Sequence, residues 1–356
     1  MNKKFLFSIT VLVIISALYA KRSEVVSTLL QKGMEQQFAA NTLNELSDGL
    51  HLALCGAGGP MPAPKASGPC VVVVAGEQLF IVDTGTDGPR NILRLGYQPD
   101  EIKAVFLTHF HSDHIDGLGE LGTFRWAAGA NTAPLPVYGP EGVVEVVDGF
   151  NRSYSADFVY RHEHHGDAVA PESGAGLSAR PFAQPADGEL AILIDRDDLR
   201  VEAFRVNHFP VDPAVGYRFS YKDRSILISG DTIKSENIRR FANGVDLLVH
   251  EALAPNLVNM MNEAAKRINN LVLEQITHDI LDYHASPSDA AETARDAGVG
   301  HLLYYHIVPP LIVPGQKDLF LDGADKIFSQ YTIGVDGVAF SMPAGSDSVI
   351  KTSSGL

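Results

Sequence analysis

Short apolar runs separated by turns rich in Gly, Pro and Asp fill the middle of the chain. Val71–Val74 and Leu79–Val82 flank the turn Ala75-Gly-Glu-Gln78 and predict a β-hairpin. His51–Cys55, Ala104–Leu107, Val137–Pro140, Leu190–Ile194, Val201–Val206, Val215–Tyr221, Ser225–Ser229, Val245–Val249 and Leu302–Tyr305 read as further strands. Helical spacing marks Asn91–Leu95, Glu141–Phe150, Asn256–Ile280 and Pro287–Ala297, whereas Arg161–Gly188 reads as irregular. Two series of short strands, each followed by helices, predict an α/β domain of two sheets packed face to face with helices outside. That domain is expected over residues 49–345, behind a polar spacer of helical pattern over 21–48.

The N-terminus has a different pattern. Lys3 and Lys4 precede an apolar run, Phe5–Ala20, broken only by Ser and Thr. This predicts a signal peptide or membrane anchor over residues 1–20, and hence export to the periplasm or anchoring outside the cytoplasm, with membrane contact at the N-terminus. Two cysteines, Cys55 and Cys70, bound a Gly/Pro/Ala loop. They read either as a disulfide or as two buried thiols. Formal net charge is −15, and no Lys/Arg cluster appears. This composition predicts that nucleic acid is not the partner.

Chemistry concentrates in Leu107-Thr-His-Phe-His-Ser-Asp-His-Ile-Asp-Gly117, which places His109, His111, Asp113 and His114 within six positions. Two imidazoles at i and i+2 on an extended segment point the same way. The Asp and the third His, at the following turn, can face a second point nearby. Such a set suits two adjacent divalent ions. His208, Asp231 and His306 are metal-type residues, each following an apolar strand. His162, His164 and His165 read instead as part of a solvated or substrate-facing loop.

The order His-x-His-x-Asp-His, then His208, then Gly230-Asp231-Thr232, then His306 resembles the metallo-β-lactamase superfamily. Asn207-His208-Phe-Pro, Leu248-Val-His-Glu-Ala252 and His284-Ala-Ser-Pro-Ser-Asp-Ala-Ala291 resemble its ribonuclease Z and arylsulfatase branch. The resemblance implies an αββα four-layer sandwich with two zinc ions per chain. His109, His111 and His208 would hold one ion, Asp113, His114 and His306 the other, with Asp231 between them. It further implies hydrolysis of a phosphodiester or aryl sulfate by a metal-activated hydroxide. Asp113, Glu251 and His284 are its catalytic candidates, with His284 as general acid held protonated by Glu251. Asp83 is expected to be structural near the site, and His250 buried without a role.

Ribonuclease Z proteins carry a basic arm that grips tRNA. No basic arm appears between Val137 and Val201, and Arg161–Gly188, in its approximate place, lacks the charge. The expectation is therefore a small-molecule ester as substrate, with a homo-oligomer possible on this pattern. The alternatives are a ribonuclease Z-type enzyme, a lactonase or β-lactamase-like hydrolase, and a non-catalytic metal-binding protein.

Overall fold

The unbroken run Val71–Val74 is apolar on both faces because both faces are covered. Val71 and Val73 enter a core between two sheets, while Val72 and Val74 enter a second core under helices. The computed structural model describes residues 22–353, so the apolar segment over 1–20 lies outside the described residues. A helix over Arg22–Ala39 lies in a unit of its own and covers about two thirds of the expected spacer.

The rest of the chain begins with β1 (Gly49–Gly56), β2 (Cys70–Ala75), β3 (Gln78–Val82), β4 (Ile102–Phe106), β5 (Leu135–Gly139) and β6 (Leu177–Pro181). A second group follows: β7 (Ala191–Arg196), β8 (Leu199–Arg205), β9 (Val215–Tyr221), β10 (Arg224–Ile228), β11 (Leu247–Leu253), β12 (His301–Val308) and β13 (Tyr331–Ile333). Finally β14 (Val338–Pro343) and β15 (Ile350–Ser353) return to the first sheet. Strand orders are β15-β14-β1-β2-β3-β4-β5-β6 and β13-β12-β11-β10-β9-β8-β7. The inner faces meet through Phe80, Phe106, Tyr217, Phe219 and Tyr305, and helices cover both outer faces. This is the αββα sandwich.

Several elements differ from their sequence pattern. The span expected as one helix over Asn256–Ile280 is two, Pro255–Arg267 and Leu271–Asp279. Asn269 turns left-handed between them, and the Asn270 side chain caps the second by accepting the Leu273 N–H at 3.1 Å. The helix expected to end at Phe150 runs from Val143 to His165, taking in residues read as irregular. His162, His164 and His165 therefore form its last turn, where His162 bonds the Ala170 carbonyl at 2.9 Å. Short β13, β14 and β15 lack a long apolar run, and the pattern did not mark them. Cys55 and Cys70 form a disulfide across β1 and β2, with 4.9 Å between Cα atoms.

Candidate metal centre

All the expected ligands leave the same edge of the sandwich. The segment Thr108–His114 follows β4, His208 follows β8, Asp231 follows β10, and His306 lies within β12. Local backbone features aim each side chain. Gly230, before Asp231, has a φ of 64°, and a side chain there would collide with the Val215 carbonyl at 2.8 Å. His306 has a φ of 44° and sits at a bulge: Tyr305 pairs with Glu251 and Ile307 with Ala252, which leaves His306 as the extra residue. The bulge turns its ring toward the centre.

Ligand-type atoms of His109, His111, His208 and Asp231 lie within 4.8 Å of one another, as do those of Asp113, His114 and His306. Asp231 Oδ2 stands between the groups, 3.9 Å from His109 Nε2, 3.8 Å from His208 Nε2, 3.4 Å from His114 Nε2 and 3.2 Å from His306 Nε2. The structure thus brings together all seven residues singled out as ligands.

The atoms behind the ligands fix their orientation. His114 Nδ1 lies 2.9 Å from Asp83 Oδ2, which also accepts the Thr108 hydroxyl at 2.8 Å. His208 Nδ1 donates to the Tyr283 carbonyl at 2.8 Å, and the Tyr283 ring stacks on the imidazole at 4.6 Å. Both bonds leave Nε2 facing inward, as metal-binding histidines require. Thr108 and Tyr283 were not singled out in the sequence. A backbone carbonyl acceptor leaves no trace there.

Burial drives the His109 imidazole well below its ordinary pKa, with the neighbouring His114 adding to the effect. Burial likewise lowers His208 to about 4. Burial would raise Asp231, but His306 and His114 hold its carboxyl well below the usual range. His109, His208 and Asp231 are thereby in the forms that bind a cation, whereas Asp231 and Asp83 outweigh burial and hold His114 well above its ordinary value, so a cation there would displace its proton. His114 Nε2, His208 Nε2 and Asp231 Oδ1 are buried without a hydrogen-bond partner, at a cost of about 1–3 kcal/mol each. Divalent cations at their shared focus would satisfy all three. The donor set, imidazole and carboxylate without thiolate, fits zinc.

Beside this cluster, His284 Nδ1 lies 3.0 Å from Glu251 Oε1. Glu251 is fully buried, and its Oε1 also accepts the Thr232 and Ala285 N–H groups, each at 3.1 Å. Burial of His284 disfavours its charge. The Glu251 carboxylate more than offsets this and lifts the pKa to about 9. His284 also has a ligand-type atom within 4.8 Å of Asp231 and His306, which places the pair at the rim of the centre. His250 is buried and bonds the Glu251 carbonyl at 2.7 Å.

Residues 64–293 match the metallo-beta-lactamase superfamily. The chain belongs to that superfamily. It is 34% identical to a ribonuclease Z of Mycolicibacterium gilvum (strain PYR-GCK) over 271 residues, 76% of this chain and 87% of that protein. A ribonuclease Z of Mycobacterium bovis (strain BCG / Pasteur 1173P2) is also 34% identical, over 76% of this chain and 89% of its own length. Among solved structures, the short form of human tRNase Z superposes with a TM-score of 0.59 at 20% identity. It covers 82% of this chain and 99% of its own. A metallo-beta-lactamase fold protein from Bacillus subtilis gives 0.58 at 18% identity, over 82% and 99%. The last two show the fold.

This superfamily member is a metallohydrolase, and one expectation from its sequence is overturned. The acidic balance pointed to a small-molecule ester and away from nucleic acid, yet the relatives aligned over three quarters of the chain are ribonucleases. The physical reason is locality. A formal charge of −15 is a sum over the whole molecule. The field that a phosphodiester meets is set by the groups at the site, where cations would dominate.

Proposed function

We propose that this protein is a zinc-dependent endoribonuclease of the ribonuclease Z type, which hydrolyses a phosphodiester bond at the 3' side of a tRNA precursor. The observation that carries the reading is the sharing of Asp231 Oδ2 between two ligand groups with the Glu251–His284 pair at their rim. The one-third identity to ribonucleases Z over most of the chain supports the choice of bond.

In this reading His109, His111 and His208 would hold one ion and Asp113, His114 and His306 a second, with Asp231 available to both. Divalent zinc there supplies Lewis acidity, acidifying water and neutralising charge on the phosphoryl oxygens. Asp113, with a side chain 14% exposed against 2% for Asp231, is the more open carboxylate and accepts a hydrogen bond from incoming water. His284 keeps Nδ1–H on Glu251 and presents Nε2–H to the departing ribose oxygen. Glu251, anchored by two backbone N–H groups, holds that ring in place and charged.

The test is a panel of substrates for protein assayed with the metal it carries from purification: a tRNA precursor with a 3' trailer, an unstructured RNA, bis-p-nitrophenyl phosphate and p-nitrophenyl sulfate. The trailer should be removed at one position, with activity lost on chelation and restored by zinc. Turnover of the sulfate ester with every RNA left intact would sink the proposal.

A further inference from the structure

Among the described residues, a large exposed aromatic ring directly follows a buried metal-centre ligand. His208 is 1% exposed, whereas Phe209 is 77% exposed. The loop carrying the ring is well tied. Val211 N–H donates to the His208 carbonyl at 2.9 Å, Ile233 N–H to the Asn207 carbonyl at 2.9 Å, and Phe209 N–H to Asn207 Oδ1 at 3.2 Å. The ring therefore stands in solvent on a fixed base, with no packing role to account for it.

Beneath it lies a cavity of about 450 Å³, with His208 as the wall it shares with the metal centre. Polar groups of both kinds line it. Arg205 faces Asp212, at 3.2 and 3.3 Å from the two carboxylate oxygens, and the Asn237 amide donates to Asp187 at 2.9 Å. The single guanidinium is already matched by a carboxylate, and a second carboxylate stands nearby. A phosphate would be repelled here. A nucleobase, which offers donors and acceptors on its edge and a flat face to stack, matches both the lining and the ring.

Between β5 and β7 the chain folds as the helix Val143–His165 followed by β6, and no Lys/Arg cluster lies there. The exposed ring and cavity beside the centre are then candidates for purchase on RNA. Resting on the ribonuclease reading, we propose that Phe209 and this cavity form a subsite for one unpaired nucleobase next to the scissile phosphodiester. The base stacks on the Phe209 ring and turns its edge toward Asn207 and Asp187. The unstacked single-stranded junction between stem and trailer is the part of a tRNA precursor that can supply such a base.

The experiment compares wild type with Phe209→Ala, Phe209→Leu and Phe209→Trp on the trailer-bearing precursor, with zinc per chain measured for each. Alanine substitution of a stacking residue costs about 1–3 kcal/mol, a KM rise of about 5- to 150-fold. KM should rise in that range for the alanine and leucine variants and recover in the tryptophan variant, with kcat and zinc content near wild type. An unchanged KM in Phe209→Ala, while the wild type cuts RNA, overturns the subsite alone. Loss of zinc together with kcat also overturns it, since Phe209 would then be supporting His208. A wild type that cuts no RNA overturns the functional reading and the subsite with it.

Discussion

Replacing Glu251 with Gln isolates what the buried charge does. Glu251 Oε1 accepts three hydrogen bonds, from His284 Nδ1 and from the Thr232 and Ala285 N–H groups. A Gln carbonyl can keep these contacts, but its amide nitrogen takes the place of Oε2, which is buried without a partner, so the change removes the charge and adds an unpaired buried donor at a cost of about 1–3 kcal/mol. His284 stands at about 9 because that charge outweighs burial. Without it, burial opposes only the weaker pull of Asp231, and the pKa falls back toward the ordinary imidazole value of about 6.5. A drop of more than two units corresponds to about 3 kcal/mol of lost preference for the imidazolium. At pH 7.5 the protonated fraction would fall from nearly all to about a tenth.

The kinetic consequence is a lower kcat for the tRNA precursor at pH 7.5, while bis-p-nitrophenyl phosphate, whose leaving group needs no proton, changes by about twofold or less. Bound cations will lower the His284 value in the working enzyme, so the titration itself is best followed by NMR of the His284 ring in chelated protein. Linkage gives an independent check. The folded pKa lies above the unfolded one, so the stability due to the pair is fully present below about pH 6.5 and lost as pH rises through about 9. The stability gap between wild type and Glu251→Gln should therefore narrow between those values in chelated protein. An unmoved His284 titration, or equal kcat losses on both substrates, would refute the reasoning.

Asp231→Ala removes the oxygen shared by both ligand groups. Activity should fall by more than about 100-fold, exceeding the usual cost of losing a residue behind the ligands, with zinc per chain reduced on elemental analysis. Asp83→Asn leaves every ligand in place but weakens the hold on His114, and a loss of about 10- to 100-fold in zinc affinity or activity is expected, measured by competition with a chelating dye. The Cys55–Cys70 disulfide closes a 15-residue loop between buried strands. Replacing both by Ser should lower stability by about 3 kcal/mol, read from the urea midpoint, and reductant should bring wild type toward the variant.

The fold class and the first ligand group were legible along the chain because both are local. A strand buried on both faces must be apolar at successive positions, and Val71–Val74 and Ala104–Leu107 display that requirement directly, while Val215–Tyr221 alternates apolar residues with Arg218 and Ser220. His109, His111, Asp113 and His114 lie so close together that no tertiary information is needed to see them converge. His208, Asp231 and His306 are different. Their separate positions become one site only because β8, β10 and β12 end at one edge, and that follows from strand order. The left-handed backbone at His306, the carbonyl of Tyr283 behind His208 and the pairing of Cys55 with Cys70 were likewise decided in three dimensions. So was the exposure of Phe209, since a residue's hydrophobicity does not say what will pack on it. Whole-chain charge misled for the same reason: it sums over a surface, whereas binding is settled by the few groups that folding gathers at one place.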